Sequence, residues 1–198
     1  MLFFEVVMAN TEKHTKEYLV LKAVELVRKK GYGALGIRSL AEFAKISTQP
    51  IYRNFGSLKE LNECVLNAIN DLYADFLKKE ISSGKYPAYK ASGIGYVKFA
   101  KAEPELFKAL FMRSRKNADG RKEDEEFNEI ARKISAAYEI PYEKARKFHL
   151  IMWLIVHGAA TQSATEYLTL SENDVSDILT ETFNALFGKN KTEELCAK

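Results

Sequence analysis

IRSLAEFAKISTQPIYRNF, residues 37–55, holds two short helical patterns joined by a turn. Ile37, Leu40, Ala41 and Ala44 fall at i, i+3, i+4 and i+7, which places four apolar side chains on one helix face. Arg38, Ser39, Glu42 and Lys45 are left on the wet side. Past Lys45 and Ile46, Ser47 is suited to cap a second helix, which carries Ile51, Tyr52 and Phe55, with Pro50 in its first turn. Two helices of about two turns each, joined by three or four residues, describe a helix-turn-helix.

Helices this short do not persist alone in water. The element that would hold them lies just upstream, where Val20, Ala23, Val24 and Val27 repeat the same spacing before Gly31 ends the helix. The outward face of the second short helix then carries Thr48, Gln49, Arg53 and Asn54, side-chain types that hydrogen-bond base edges and phosphates in a major groove. Tyr52 can pack its ring while its hydroxyl reaches a phosphate, whereas Phe55 reads as core.

The span LKAVELVRKKGYGALGIRSLAEFAKISTQPIYRNFGSLKEL, residues 21–61, resembles the N-terminal domain of the tetracycline-repressor (TetR) family of bacterial transcription regulators. The likeness is carried by Ala23-x-Glu25-Leu26, Gly31-Tyr32, Leu40-Ala41, Ala44, Ile46-Ser47, Tyr52-x-x-Phe55 and Leu61. It implies DNA contact by Arg38, Ser47, Thr48, Gln49, Tyr52, Arg53, Asn54 and Lys59. Three positions depart from the family pattern. Gly36 stands where a Ser or Thr usually caps the first helix of the motif. Lys45 stands where the turn usually has Gly, which predicts a non-glycine residue with positive φ. Leu58, followed by Lys59, replaces a lysine frequent before the next helix.

The 198 residues, 46% hydrophobic and 29% charged, are an ordinary globular composition. The net charge of +3 is unevenly placed: between Asn10 and Leu61 ten Lys and Arg stand against five Glu, so the remainder is slightly acidic. Basic charge thus gathers where nucleic-acid binding would need it. Cys64 and Cys196 imply no disulfide framework and fit a reducing cytoplasm. No apolar run approaches the roughly 18–20 residues of a membrane span. His14, His149 and His157 have no metal-ligand spacing, and no nucleophile elbow, phosphate loop or dinucleotide fingerprint appears, so neither enzyme chemistry nor a cofactor is expected.

Downstream, Ser57-Leu58-Lys59-Glu60 is a capping box opening a long helix to about Ser82. A break at Gly84 and Pro87 precedes a helix with Ile94, Val97 and Phe99, and PELFKALFM then begins another with Pro104 in its first turn. A charged loop at 114–122, a helix from Glu123 to Tyr138, one from Pro141 to about Leu168, and a last helix capped by Ser171 and ended by Gly188 complete the chain. The fold expected is all-α with about nine helices. It divides into a disordered extension at 1–10, a DNA-binding head at 11–62, a body at 63–188 and a polar tail at 189–198. Met1–Val7 reads as an upstream start or an added segment ahead of Met8.

Between Phe148 and Ala160 nearly every position is apolar, which requires cover on more than one side. Trp153, His157 and Gly158 resemble a W…HG arrangement found in one group of these regulators. The family resemblance implies a homodimer, a palindromic duplex operator and release by a small organic effector. The dimer interface would include Gly158, Ala159, Ser163, Ile178 and Phe183. The effector pocket would draw on Tyr96, Phe99, Phe107, Phe111, Trp153 and His157, although core filling is the competing reading of each. The competing function is a helical interaction module whose helix-turn-helix is packing alone.

Overall fold

In the computed structural model the described residues are 14–113 and 121–196, those at 121–123 and 189–196 by backbone alone. The expectations for 1–13, for the loop at 114–120 and for the last two residues lie outside them. Nine α-helices and one 3-10 turn make up the described chain, without a strand. They are α1 (Lys16–Lys30), the 3-10 turn (Tyr32–Ala34), α2 (Ile37–Ala44), α3 (Gln49–Asn54), α4 (Leu58–Ser82), α5 (Ala88–Ala102), α6 (Pro104–Phe111), α7 (Arg121–Tyr138), α8 (Tyr142–Ala164) and α9 (Glu172–Cys196). No helix among the described residues is long and apolar enough to cross a membrane.

Two compact units arise. The first joins the described residues up to Lys78 with Ala102–Arg113, and the second joins Lys79–Lys101 with the described residues from 121 onward. The unit around the helix-turn-helix therefore extends along α4 past residue 62 and takes in α6.

In the first unit Thr15 caps α1 by accepting from the Tyr18 amide. Leu19, Ala23, Val24, Leu26 and Val27 of α1 are buried, so the core face is centred on Leu19 and Leu26, while Val20 is only partly covered. Leu40, Ile51, Phe55, Leu61, Val65 and Ile69 close the same core, each such side chain contributing roughly 1.5–3 kcal/mol. Gly31 ends α1 at φ 79°, a backbone conformation that favours glycine, and a Cβ there would stand 2.8 Å from a Glu105 carboxylate oxygen, which would have to swing aside. Arg28 Nε donates to Glu103 Oε2 at 2.7 Å, tying α1 to the start of α6.

In the second unit α7 and α8 pack side by side, and Gly93 of α5 brings its backbone against Leu179 and Val156, where a Cβ would come within 3.1–3.2 Å. Lys98 bridges Glu80 and Glu172, both at 2.9 Å, and Glu172 also holds Lys85 at 2.7 Å. Two boundaries differ from expectation. Helix α8 stops at Ala164 rather than near Leu168, because Glu166 adopts φ 56° and the Tyr167 amide turns back to the Gln162 carbonyl. Helix α9 does not stop at Gly188 but runs to Cys196. Glycine in a helix costs only about 1 kcal/mol and, with no proline or left-handed residue after it, does not end one. The Ser171 cap is present, with Ser171 Oγ accepting from the Asp174 amide and the Asp174 carboxylate accepting from the Ser171 amide.

Candidate nucleic-acid interface

Helices α2 and α3 meet at a turn whose geometry follows from one residue. Lys45 takes the left-handed conformation, φ 56° and ψ 47°, as the sequence predicts, and its amide and that of Ile46 close on the last carbonyls of α2. Ser39 Oγ donates to the Ala34 carbonyl at 2.7 Å and lies 3.1 Å from that of Gly36, which steadies the uncapped start of α2. The N-cap of α3 is Thr48, not Ser47, and Thr48 makes no side-chain capping bond. Pro50 consequently sits at the second helical position, where its missing amide leaves no bond unmade.

With Ile51 and Phe55 fully buried, the opposite face of α3 is presented outward. Gln49, Tyr52 and Arg53 are exposed there, Tyr52 by 62%, so its ring does not pack into the core. Ser47, Arg38 and Lys59 are exposed as well, and Thr48 is half-buried. Lys59 makes only a loose 3.8 Å pair with Glu63.

Asn54 stands apart from this set. It is half-buried, and its Nδ2 donates to the His14 carbonyl at 2.9 Å and the Pro50 carbonyl at 2.8 Å. Nearby the expected capping box forms with one change. Ser57 Oγ accepts from the Glu60 amide, but the Glu60 carboxylate returns to the Gly56 amide at 2.9 Å. The other Glu60 oxygen accepts from Lys16 Nζ at 2.7 Å, and Lys16 also lies over the Phe55 ring at 5.3 Å. The hydrogen bond from Lys16 is the main cause that holds the Glu60 carboxyl below its ordinary pKa, and the same bond raises that of Lys16. The Lys16–Glu60 and His14–Asn54 connections have no periodic signature, so sequence reasoning missed them.

The residues expected to bind an effector divide between the units. Phe107 is fully buried and half-buried Phe111 lies edge-on to Tyr73 at 5.2 Å, all in the first unit. In the second, Phe99 is core, while Tyr96, Trp153 and His157 form one cluster. Tyr96 Oη lies 2.9 Å from His157 Nδ1, and the indole stacks on the imidazole with centroids 4.9 Å apart. Desolvation lowers the His157 pKa and favours the neutral ring. A parallel pair was not foreseen: Tyr89 Oη lies 2.9 Å from Nδ1 of buried His149, beside Phe127. The signal was the seven-residue spacing of the two tyrosines on α5 against the eight-residue spacing of the two histidines on α8.

Of the positions expected at a dimer interface, Gly158 and Ile178 are exposed, Ala159 is half-buried, Ser163 is buried with its hydroxyl on the Ala159 carbonyl, and Phe183 stacks on Phe187 at 4.7 Å. Leu150, Trp153 and Leu154 are exposed on α8 as well.

Comparisons with known proteins add to this geometry. The family model described as "Tetracyclin repressor-like, C-terminal domain" matches residues 89–186. A TetR-like transcriptional regulator from Rhodococcus sp. RHA1 superposes with TM-score 0.67 at 14% identity, over 87% of this chain and 96% of that one. A protein of Pseudomonas aeruginosa PAO1 gives 0.65 at 16%, over 92% and 95%. NalD, the secondary repressor of the MexAB-OprM multidrug efflux pump in P. aeruginosa, gives 0.55 at 17%, over 84% and 92%. No curated protein matches the sequence significantly. With that C-terminal domain following a helix-turn-helix unit, in a fold shared over most of its length with a TetR-like regulator, the chain belongs to the TetR family.

Proposed function

We propose that the protein is a ligand-responsive DNA-binding transcriptional regulator, a homodimeric repressor that a small organic effector releases from a palindromic operator. One observation carries the DNA-binding part. The short helix α3 buries Ile51 and Phe55 and turns Gln49, Tyr52 and Arg53 to solvent, with Ser47, Arg38 and Lys59 exposed around them. Polar and cationic side chains exposed on the second helix of a helix-turn-helix suit a major groove. NalD, a repressor in its own setting, supports the repressor reading.

Two heads in a two-fold dimer would meet half-sites about one helical turn apart. The body at 63–188 would carry the dimer face and the effector site, with the Tyr96, Trp153 and His157 cluster as the part of the expected pocket that has polar groups among aromatic rings. Binding to the DNA-free form alone would lower operator affinity by the same factor by which operator lowers effector affinity.

Selection of bound sequences from a random duplex pool, followed by footprinting on DNA upstream of the protein's own gene, tests the reading. A two-fold symmetric consensus is expected. Retention of no duplex at low salt would overturn it in favour of a helical interaction module.

A further inference from the structure

Asn54 lies on the outward helix and is of a type that reads adenine, yet its side chain is already committed. Two carbonyl oxygens, of His14 at 2.9 Å and Pro50 at 2.8 Å, face one side-chain atom, and that atom must be the amide nitrogen. A side-chain amide has two N–H donors, and both are used here. Bidentate reading of adenine needs one of those donors together with the carbonyl oxygen, so Asn54 would have to break an existing bond to contact a base.

The helix it belongs to needs fastening. Six residues do not hold a helix by themselves, and Thr48 supplies no side-chain cap. Burial of Ile51 and Phe55 fixes the inner face of α3, and Asn54 adds a polar tie at its end. The chain entering α1 is held at two points, one just ahead of the helix and one at its first residue. Asn54 grips the His14 carbonyl, and Lys16 is bound by Glu60, whose second oxygen holds the Gly56 amide.

Resting on the DNA-binding reading of α3, we propose that Asn54 is a positioning residue. It ties the segment entering α1 to the end of α3 and so sets the angle at which Gln49, Tyr52 and Arg53 are presented.

The test compares the full chain with Asn54→Ala and Gln49→Ala in selection from a random duplex pool, with affinities then measured on the consensus that the unsubstituted protein enriches. Asn54→Ala should enrich the same consensus. It should bind that duplex and each single-base variant of it more weakly by one common factor of roughly tenfold, the scale of one or two lost hydrogen bonds. Gln49→Ala should instead lose preference at one base pair. Hydrogen exchange supplies an arm independent of DNA: the Tyr18 and Leu19 amides in the first turn of α1 should exchange faster in Asn54→Ala. A consensus relaxed at one base pair in Asn54→Ala would make it a base reader and overturn the proposal. Unchanged affinity, or unchanged exchange at those amides, would overturn it as well. If the unsubstituted protein enriches no sequence, the DNA-binding reading fails by that control, and the exchange arm still decides whether the tether exists.

Discussion

His149 is 6% exposed, with Nδ1 against the Tyr89 hydroxyl and its ring 4.4 Å from that of Phe127. Burial pushes its pKa down to about 4. The unfolded chain takes up that proton near the ordinary pKa of about 6.5, so stability is lost as pH falls from about 6.5 to about 4 and levels off below. The full effect is up to about 3 kcal/mol, and urea titrations in that window should show a loss that His149→Gln abolishes. Glu172 follows at lower pH. Hydrogen bonds from Lys85 and Lys98 depress its pKa to about 2, so the stability it contributes is present above its ordinary value and is lost as pH falls toward 2. Lys45 offers a test of backbone strain. At φ 56° a side chain is unfavourable, so Lys45→Gly should raise stability by a few tenths to about 1 kcal/mol, read as a higher urea midpoint. That strain was legible through the family resemblance, because Lys45 stands where the turn of the resembled family usually has Gly. The Tyr89–His149 pair left only a faint trace, the similar spacing of two tyrosines on α5 and two histidines on α8, because spacing along one helix does not say which side chain of another faces it.

Helix α8 shows what periodicity can and cannot tell. Its almost unbroken apolar run led to the expectation of cover on more than one side, and the chain itself covers one face, burying Ala145, Phe148, His149, Met152, Val156 and Ala160. Leu150, Trp153 and Leu154 stay exposed, Leu154 by 54%, and a Cβ at Gly158 would meet nothing within 4 Å. Spacing identifies both stripes as apolar, yet it does not distinguish cover by the same chain from cover by a second copy. If the open stripe is the dimer face, Gly158→Trp and Leu154→Lys should leave the folded monomer intact, because neither site is enclosed. Sedimentation or light scattering should then show dimer association weakened about a hundredfold or more, the scale of a central interface side chain. A dimer unchanged in both variants would put the interface elsewhere. Helix ends were less legible than helix faces. Gly188 was read as a stop and is not one, whereas Glu166, with no glycine to mark it, ends α8.

For the whole molecule, the all-α class and the helix-turn-helix could be read directly, because 3.6-residue periodicity and capping residues are local signals. The membership of α6 in the first unit could not, since it depends on contacts such as Arg28 with Glu103, 75 residues apart. Charge belongs to this scale too. Basic residues outnumber acidic ones two to one between Asn10 and Leu61, while the rest of the chain is slightly acidic, so attraction to DNA should come from the head alone. Three exposed cations, Arg38, Arg53 and Lys59, surround the outward face of α3. In a dimer they would neutralise about six phosphates, which corresponds to a slope of roughly −5 in a plot of log affinity against log salt. Lys59 is well suited to isolate one such contact, because its 3.8 Å surface pair with Glu63 contributes little to folding. Lys59→Ala should therefore make the slope shallower by about 2, one contact from each head, and weaken consensus and unrelated duplexes by the same factor. A slope unchanged by the substitution would remove Lys59 from the interface, and a slope near zero in the unsubstituted protein would mean that phosphate attraction does not drive binding at all.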